Sequence, residues 1–205
     1  MSEKMVSLGF CSGLHASSKH VCQIYNNPLE KLDLVSKYLE AGVLGKERVS
    51  CFSDDLTSEM VLSYLNDHHG ELREALTHGV LTFHKTPPVY FPNSCFEPDI
   101  MLELLKNYYT SSIEAGFFSA RVVGEMNPTV KNLPGGHRIT EYEARVNQLI
   151  REYPVTCVCQ YDAREFTGEE VMEILKVHPL MMVKGHIIEN PFFISPEDYL
   201  SNLSS

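Results

Sequence analysis

The sequence has no long apolar run, no excess of positive charge and no glycine-rich phosphate loop, and each absence removes a class of function. Its longest apolar stretches, such as "PVTCVC" and "PLMMV", fall far short of the roughly 18 residues that a membrane-spanning helix needs. Seventeen Lys and Arg against 27 Asp and Glu leave a formal charge of −10. Such a balance repels phosphate backbones and anionic lipid unless a local basic patch overrides it, and no patch is visible. The expectation is a chain that binds neither nucleic acid nor membrane. The opening residues, with Glu3 and an apolar stretch broken by Ser and Gly, make a poor secretion signal, so a cytoplasmic location is expected.

Cysteine knuckles are missing too. Six cysteines stand at 11, 22, 51, 95, 157 and 159 without a CxxC pair, and several fall within predicted buried strands, as reduced thiols packed like small hydrophobes do. His20 with Cys22, and Cys157 with Cys159, are i and i+2 on strands. Each pair therefore shares a face, roughly 6.5–7 Å apart. A cross-strand set of four could hold zinc, but strand-interior thiols are commonly plain core residues, and no metal or cofactor is expected. "DHHG" at 67–70 reads as a solvated helix end. No G-x-S-x-G elbow is present to position a nucleophile.

What is present is a repeated strand and helix pattern in 205 residues, enough for one two-sided sheet. Short apolar runs at His20–Tyr25, Arg48–Ser53, Val80–His84, Ala120–Gly124 and Val155–Gln160 suit parallel strands covered on both faces. Between them lie helical segments with N-terminal signals: Asn27 before Pro28, Thr140 paired with Glu143, and Thr167 paired with Glu170. Further helices are expected over 57–67, 71–78 and 99–115. The fold class is α/β, a three-layer, mostly parallel sheet flanked by helices. "LMMVKGHIIE" predicts an antiparallel hairpin at one edge. Residues 1–18 read as a flexible arm, 19–195 as the domain and 196–205 as a tail.

In an open parallel sheet, ligands bind beyond the carboxyl ends of the strands. Those ends carry Tyr25, Asn26, Asp54, His84, Glu125, Tyr161 and Asp162, the candidate ligand-binding residues. The set has hydroxyls, acids and an imidazole but little fixed positive charge, which suits a small neutral or cationic ligand. "YNNPLEK" occupies the corner where a Walker A loop would expose backbone N–H groups and present Lys to phosphate. It has no glycines, and Pro28 removes a donor, so ATP hydrolysis by that route is not expected. "GVLGKER" has a Gly-Lys pair but lies between a helix and a following strand. Glu125 is the best candidate for a perturbed carboxylate, either as a site residue or as a buried partner of Arg145 or His137. The loops at 85–99 and 126–137 are long enough to be functional.

Nine motifs in order, "HVCQIYNNPLE", "VSCFSDD", "GVLTF", "FEPDIMLELL", "RVVGEM", "EYEARVNQLI", "CQYDAREF", "HPLMMVKG" and "ENPFF", together resemble the MEDS domain, the methanogen/methylotroph, DcmR sensory domain. The resemblance spans about His20 to Phe193. It implies a RecA/KaiC-like fold without the nucleotide loop, and a non-enzymatic signal-input module for small hydrocarbon or one-carbon derivatives. It also implies an output partner such as a kinase or transcription regulator. The short flanks here place that output on a partner chain or in a homo-oligomer. The family pattern carries over to His20, Cys22, Tyr25, Glu125, Glu141, Glu143, Arg145, Asn147, Gln160, Tyr161, Asp162, His178, Pro179, Asn190 and Pro191. Glu143 is otherwise accounted for as a helix cap. A ligand-independent interaction scaffold is the alternative. A residual nucleotide-processing enzyme, with Glu125 as base and a metal on Asp54 and Asp162, is a more distant one.

Overall fold

A computed structural model describes residues 4–65 and 69–203. Its strands and helices alternate as the sequence pattern requires. After a short ribbon of β1 (Met5–Val6) and β2 (His15–Ala16) come β3 (His20–Tyr25), α1 (Pro28–Leu44), β4 (Arg48–Phe52), α2 (Ser58–Tyr64), α3 (His69–Thr77) and β5 (Leu81–His84). Then follow α4 (Thr86–Tyr90), α5 (Pro98–Glu114), β6 (Ala120–Glu125), α6 (Ile139–Glu152), β7 (Val155–Asp162), α7 (Gly168–Lys176), β8 (Leu180–Val183), β9 (His186–Glu189) and α8 (Pro196–Leu203).

The main sheet has seven strands in the order β5-β4-β6-β7-β3-β8-β9. All neighbours are parallel except β9, which returns antiparallel on β8. That return is made at Lys184 and Gly185, both at positive φ (50° and 78°), as a two-residue hairpin turn demands. β3 and β7 lie side by side in register, His20 opposite Cys157 and Tyr25 opposite Asp162.

Alternation along the central strands sorts side chains to two cores. Val21, Val49, Val123 and Val158 face α1, α2 and α3 and pack with Leu34, Val35 and Leu72. Cys22, Cys157, Ala120 and Tyr161 face the opposite layer of α4, α5, α6 and α7. Three helix starts illustrate how local chemistry sets the boundaries. Asn27 caps α1 by accepting from the Leu29 N–H with Pro28 first in the helix, and Thr167 with Glu170 forms the expected capping box on α7. Thr140 does not cap: a 3-10 turn at Gly136–Arg138 leads into α6 from Ile139, and no side chain caps it. Glu143 is thereby one turn inside the helix and points into the core.

Two terminal expectations change. The segment expected to be a flexible arm packs on α1, burying Val6, Leu8 and Phe10 in the core. Gly9 (φ 78°) passes so close that an added Cβ would lie 2.0 Å from the Lys37 carbonyl oxygen, a contact only glycine accommodates. At the other end, the expected tail contains α8, which buries Tyr199 with Ala144 and Val177. The first segment shows no sustained period and the second is short, so tertiary burial decides their structure. Of the "DHHG" stretch, Asp67 and His68 lie outside the described residues, and His69 opens α3.

Candidate functional site

The carboxyl ends of β3, β4 and β6 converge on a buried ammonium. Lys31, on the first turn of α1 and 1 % exposed, places its Nζ 2.7 Å from Glu125 Oε1 and 2.5 Å from Asp55 Oδ1. Tyr25 donates its hydroxyl to Glu125 Oε1 (3.2 Å). Ser53 donates to Glu125 Oε2 (2.7 Å), and the Asp54 N–H also reaches that oxygen (3.2 Å). Burial pushes the Tyr25 hydroxyl up, and the neighbouring carboxylates of Glu125, Asp162 and Asp55 push it further. Burial also raises Asp55, but bonds from Lys31 and Ser53 outweigh it and hold that carboxyl below its ordinary value.

The fixed positive charge that is scarce among the strand-end residues is thus supplied from the helix. Lys31 sits where its charge is matched by protein carboxylates rather than phosphate. Glu125 pairs with Lys31 and not with Arg145, which binds Asp99 and Glu141. Nor are Asp54 and Asp162 held together as a metal pair. Asp54 accepts from the Thr86 N–H (2.9 Å), the Thr86 hydroxyl (2.6 Å) and the Asn127 side chain (2.5 Å). Asp162 is clamped by Arg164, whose bonds hold it below the usual carboxylate range.

The seven residues read from the strand ends therefore divide. Tyr25 and Glu125 belong to the Lys31 network. Asp54 joins the two long loops, Asn26 is exposed on the corner, and Asp162 serves Arg164. His84 and Tyr161 point to the opposite face of the sheet. There, between the strands and α4, α5 and α6, lies a cavity of about 280 Å³. Its wall is mostly apolar: Phe52, Val89, Phe96, Met101, Leu105, Val122, Val146 and Cys157. The Tyr90 hydroxyl lies over Gly124, where any Cβ would come within 2.3 Å of it. His84 stacks on Phe52 with ring centroids 5.2 Å apart, and burial lowers its pKa. Exposed Leu104 and His84 mark the rim.

The polar end of this cavity is formed by Glu143 and Cys159, members of a buried cluster with His20, His178 and Tyr161. Tyr161 donates to Glu143 Oε1 (2.7 Å), and His20 Nε2 contacts Oε2 (3.2 Å). Cys159 Sγ lies 3.4 Å from His20 Nε2 and 3.6 Å from Glu143 Oε2. Asn147 receives His20 Nδ1 on its Oδ1 (2.9 Å) while donating to the Glu143 and Val177 carbonyls. Burial alone would raise Glu143, yet its bond from His20, the nearby imidazole of His178 and the Tyr161 hydroxyl bring it to about 2. Burial, reinforced by His20, lowers His178 to about 4. The Cys159 thiol is raised by burial and by the Glu143 charge.

The expected cross-strand set of His20, Cys22, Cys157 and Cys159 does share one face, but only His20 and Cys159 belong to this cluster. Glu143, expected as a cap, and His178 reach it through packing. The family-carried residues provide its frame: Asn190, for instance, donates to the Leu175 and His178 carbonyls and fixes the turn that carries His178.

A family model described as MEDS, the MEthanogen/methylotroph, DcmR Sensory domain, matches residues 19–179. The chain belongs to the MEDS family. It is 24 % identical over 160 residues to the transcriptional repressor DcmR of Methylorubrum extorquens, a match covering 78 % of this chain and 57 % of that protein. This MEDS chain thus matches little more than half the length of its curated relative. Among solved structures, the flagellar accessory protein FlaH of Methanocaldococcus jannaschii aligns with a TM-score of 0.57 at 11 % identity, over 91 % of this chain and 84 % of that one. A KaiC-like protein of Pyrococcus horikoshii aligns with a TM-score of 0.57 at 12 % identity, over 87 % and 79 %. These likenesses establish a KaiC-like fold, as the motif order implied. Family and relative together give the MEDS chain a sensory or regulatory role. Among the described residues, no helix is long and apolar enough to cross a membrane.

Proposed function

We propose that this chain is a non-enzymatic signal-input domain whose ligand is a small, largely apolar molecule, such as a halogenated or methylated one-carbon compound. The supporting observation is the 280 Å³ cavity on the helix-covered face of the sheet. An apolar cavity of about 150 Å³ can hold benzene, so this one has room for a ligand of several heavy atoms. Its apolar walls favour such a guest over a nucleotide, and the Lys31 network leaves the strand-end corner saturated by its own side chains.

The route to a partner protein runs through α4. This short helix lines the cavity with Val89 and Tyr90, and its first residue, Thr86, is bound to Asp54, which also holds Asn127. A guest that favours one position of α4 therefore biases both long loops, by as much as its affinity differs between the two states. A transcription regulator or kinase reading that surface supplies the output, consistent with the repressor relative.

The test is a thermal-shift and calorimetric panel of dichloromethane, methanethiol, methanol and methylamine on wild type and Val122→Phe. Phenylalanine at 122 fills the cavity from the sheet side. At a ligand concentration 100 times Kd the expected stabilisation is about 2.7 kcal/mol, greatest for the least polar members and absent in the variant. Silence across the panel, or equal shifts in both proteins, would overturn the proposal.

A further inference from the structure

Four side chains from four separate elements meet at one buried point: His20 at the start of β3, Glu143 on α6, Cys159 on β7 and His178 in the turn between α7 and β8. One ligating atom from each lies within 4.8 Å of every other. We infer that this cluster is a binding site for a single divalent transition-metal ion of the zinc type, held by His20 Nε2, Glu143 Oε2, Cys159 Sγ and His178 Nε2.

The spacing fits. Zinc binds N and O near 2.0–2.2 Å and S near 2.3 Å, which gives tetrahedral edges of roughly 3.3–3.8 Å. Four of the six edges are 3.2 Å for His20 to Glu143, 3.4 Å for Cys159 to His20, 3.6 Å for Cys159 to Glu143 and 3.7 Å for His178 to Glu143, and the two from His178 to His20 and Cys159 lie within 4.8 Å. Each ligand is also held from behind. Tyr161 occupies Glu143 Oε1 and turns Oε2 toward the other three ligands, Asn147 Oδ1 accepts from His20 Nδ1, and the Ile174 carbonyl accepts from His178 Nδ1 (2.8 Å). Such outer partners select the tautomer that presents Nε2 to a metal.

A second observation points the same way. His178 is fully buried and its Nε2 has no hydrogen-bond partner. With Nδ1 donating to the Ile174 carbonyl, Nε2 stands 3.7 Å from Glu143 Oε2 with no hydrogen bond between them. A buried ring nitrogen without a partner is costly, and a metal ion bound to it and to Oε2 supplies that partner.

The full-length chain, stripped with chelator and dialysed, is titrated with Zn²⁺ against a chromogenic competitor and then with Co²⁺ as a spectroscopic probe. The expected result is one equivalent bound, with the intense visible bands of tetrahedral cobalt and a thiolate charge-transfer band in the near ultraviolet. Cys159→Ser removes the charge-transfer band and His178→Ala weakens binding at least ~100-fold, while Asn147→Ala, a positioning change, weakens it ~10–100-fold. Cys157→Ser, on the same strand face but outside the cluster, leaves the spectrum unchanged. Should a ligand variant fail to fold, X-ray absorption on the zinc-loaded wild type decides, with one sulfur and three N/O neighbours expected. Substoichiometric binding, octahedral cobalt, a zinc shell without sulfur, or a charge-transfer band that survives Cys159→Ser would overturn the assignment.

Discussion

Lys31 shows how one side chain can redirect an inherited corner. It lies 1 % exposed between Glu125 and Asp55, with its ammonium over the Tyr25 ring, 5.6 Å from the centroid. Removing one member of a buried ion pair leaves the other charge uncompensated, at about 3–5 kcal/mol. Asp55 is partly open to water, which places the cost at the lower end of that range. Lys31→Met is therefore expected to destabilise the chain by about 3 kcal/mol, measured as a lower urea midpoint. Lys31→Met with Glu125→Gln is expected to recover part of the loss, because the stranded carboxylate is neutralised. A double variant no more stable than the single one would show that Glu125 is not the main countercharge. The lysine was visible in "YNNPLEK", but its destination was not, since its partners lie 24 and 94 positions along the chain.

Among the elements, α4 couples the cavity to the loops. The stretch at 85–99 reads as an irregular loop, with prolines at 87, 88, 92 and 98, yet Thr86–Tyr90 forms one short helix, with Pro87 in the first turn where its missing N–H costs nothing. The Asp54 carboxylate anchors this helix through bonds of 2.9 and 2.6 Å to Thr86. A hydrogen bond to a charged group contributes about 1.5–3 kcal/mol. Asp54→Ala is expected to cost about 2–3 kcal/mol of stability and to accelerate amide exchange selectively over 85–91 and 127–132. Exchange unchanged in both segments would remove Asp54 as their link. α6 teaches the complementary lesson: "TEYE" has the composition of a capping box, but the preceding 3-10 turn takes over the helix start, freeing Glu143 for the interior.

For the whole molecule, the N-terminal segment is part of the sheet's first layer rather than an appendage. Leu8 is fully buried, and buried Arg121 on β6 donates to the Ser7 carbonyl (2.8 Å) while pairing with Glu47. Leu8→Ala is expected to lower global stability by about 2–5 kcal/mol, seen as one cooperative transition at lower denaturant. A change confined to local fraying of residues 4–18 would show that the segment is separable from the core. This layer covers the face opposite the cavity.

The sequence by itself determined the order of strands and helices, the hairpin at Lys184–Gly185, the caps at Asn27 and Thr167, and the missing phosphate loop, because these depend on residues close together in the chain. The nine ordered motifs likewise carried the family and its KaiC-like fold. Tertiary structure alone decided that Tyr25 and Tyr161 work on opposite faces, that Lys31 fills the strand-end corner, and that His20, Glu143, Cys159 and His178 converge. Those outcomes depend on strand register, on which way a strand residue points, and on packing between elements separated in the chain. Local propensity carries no record of them.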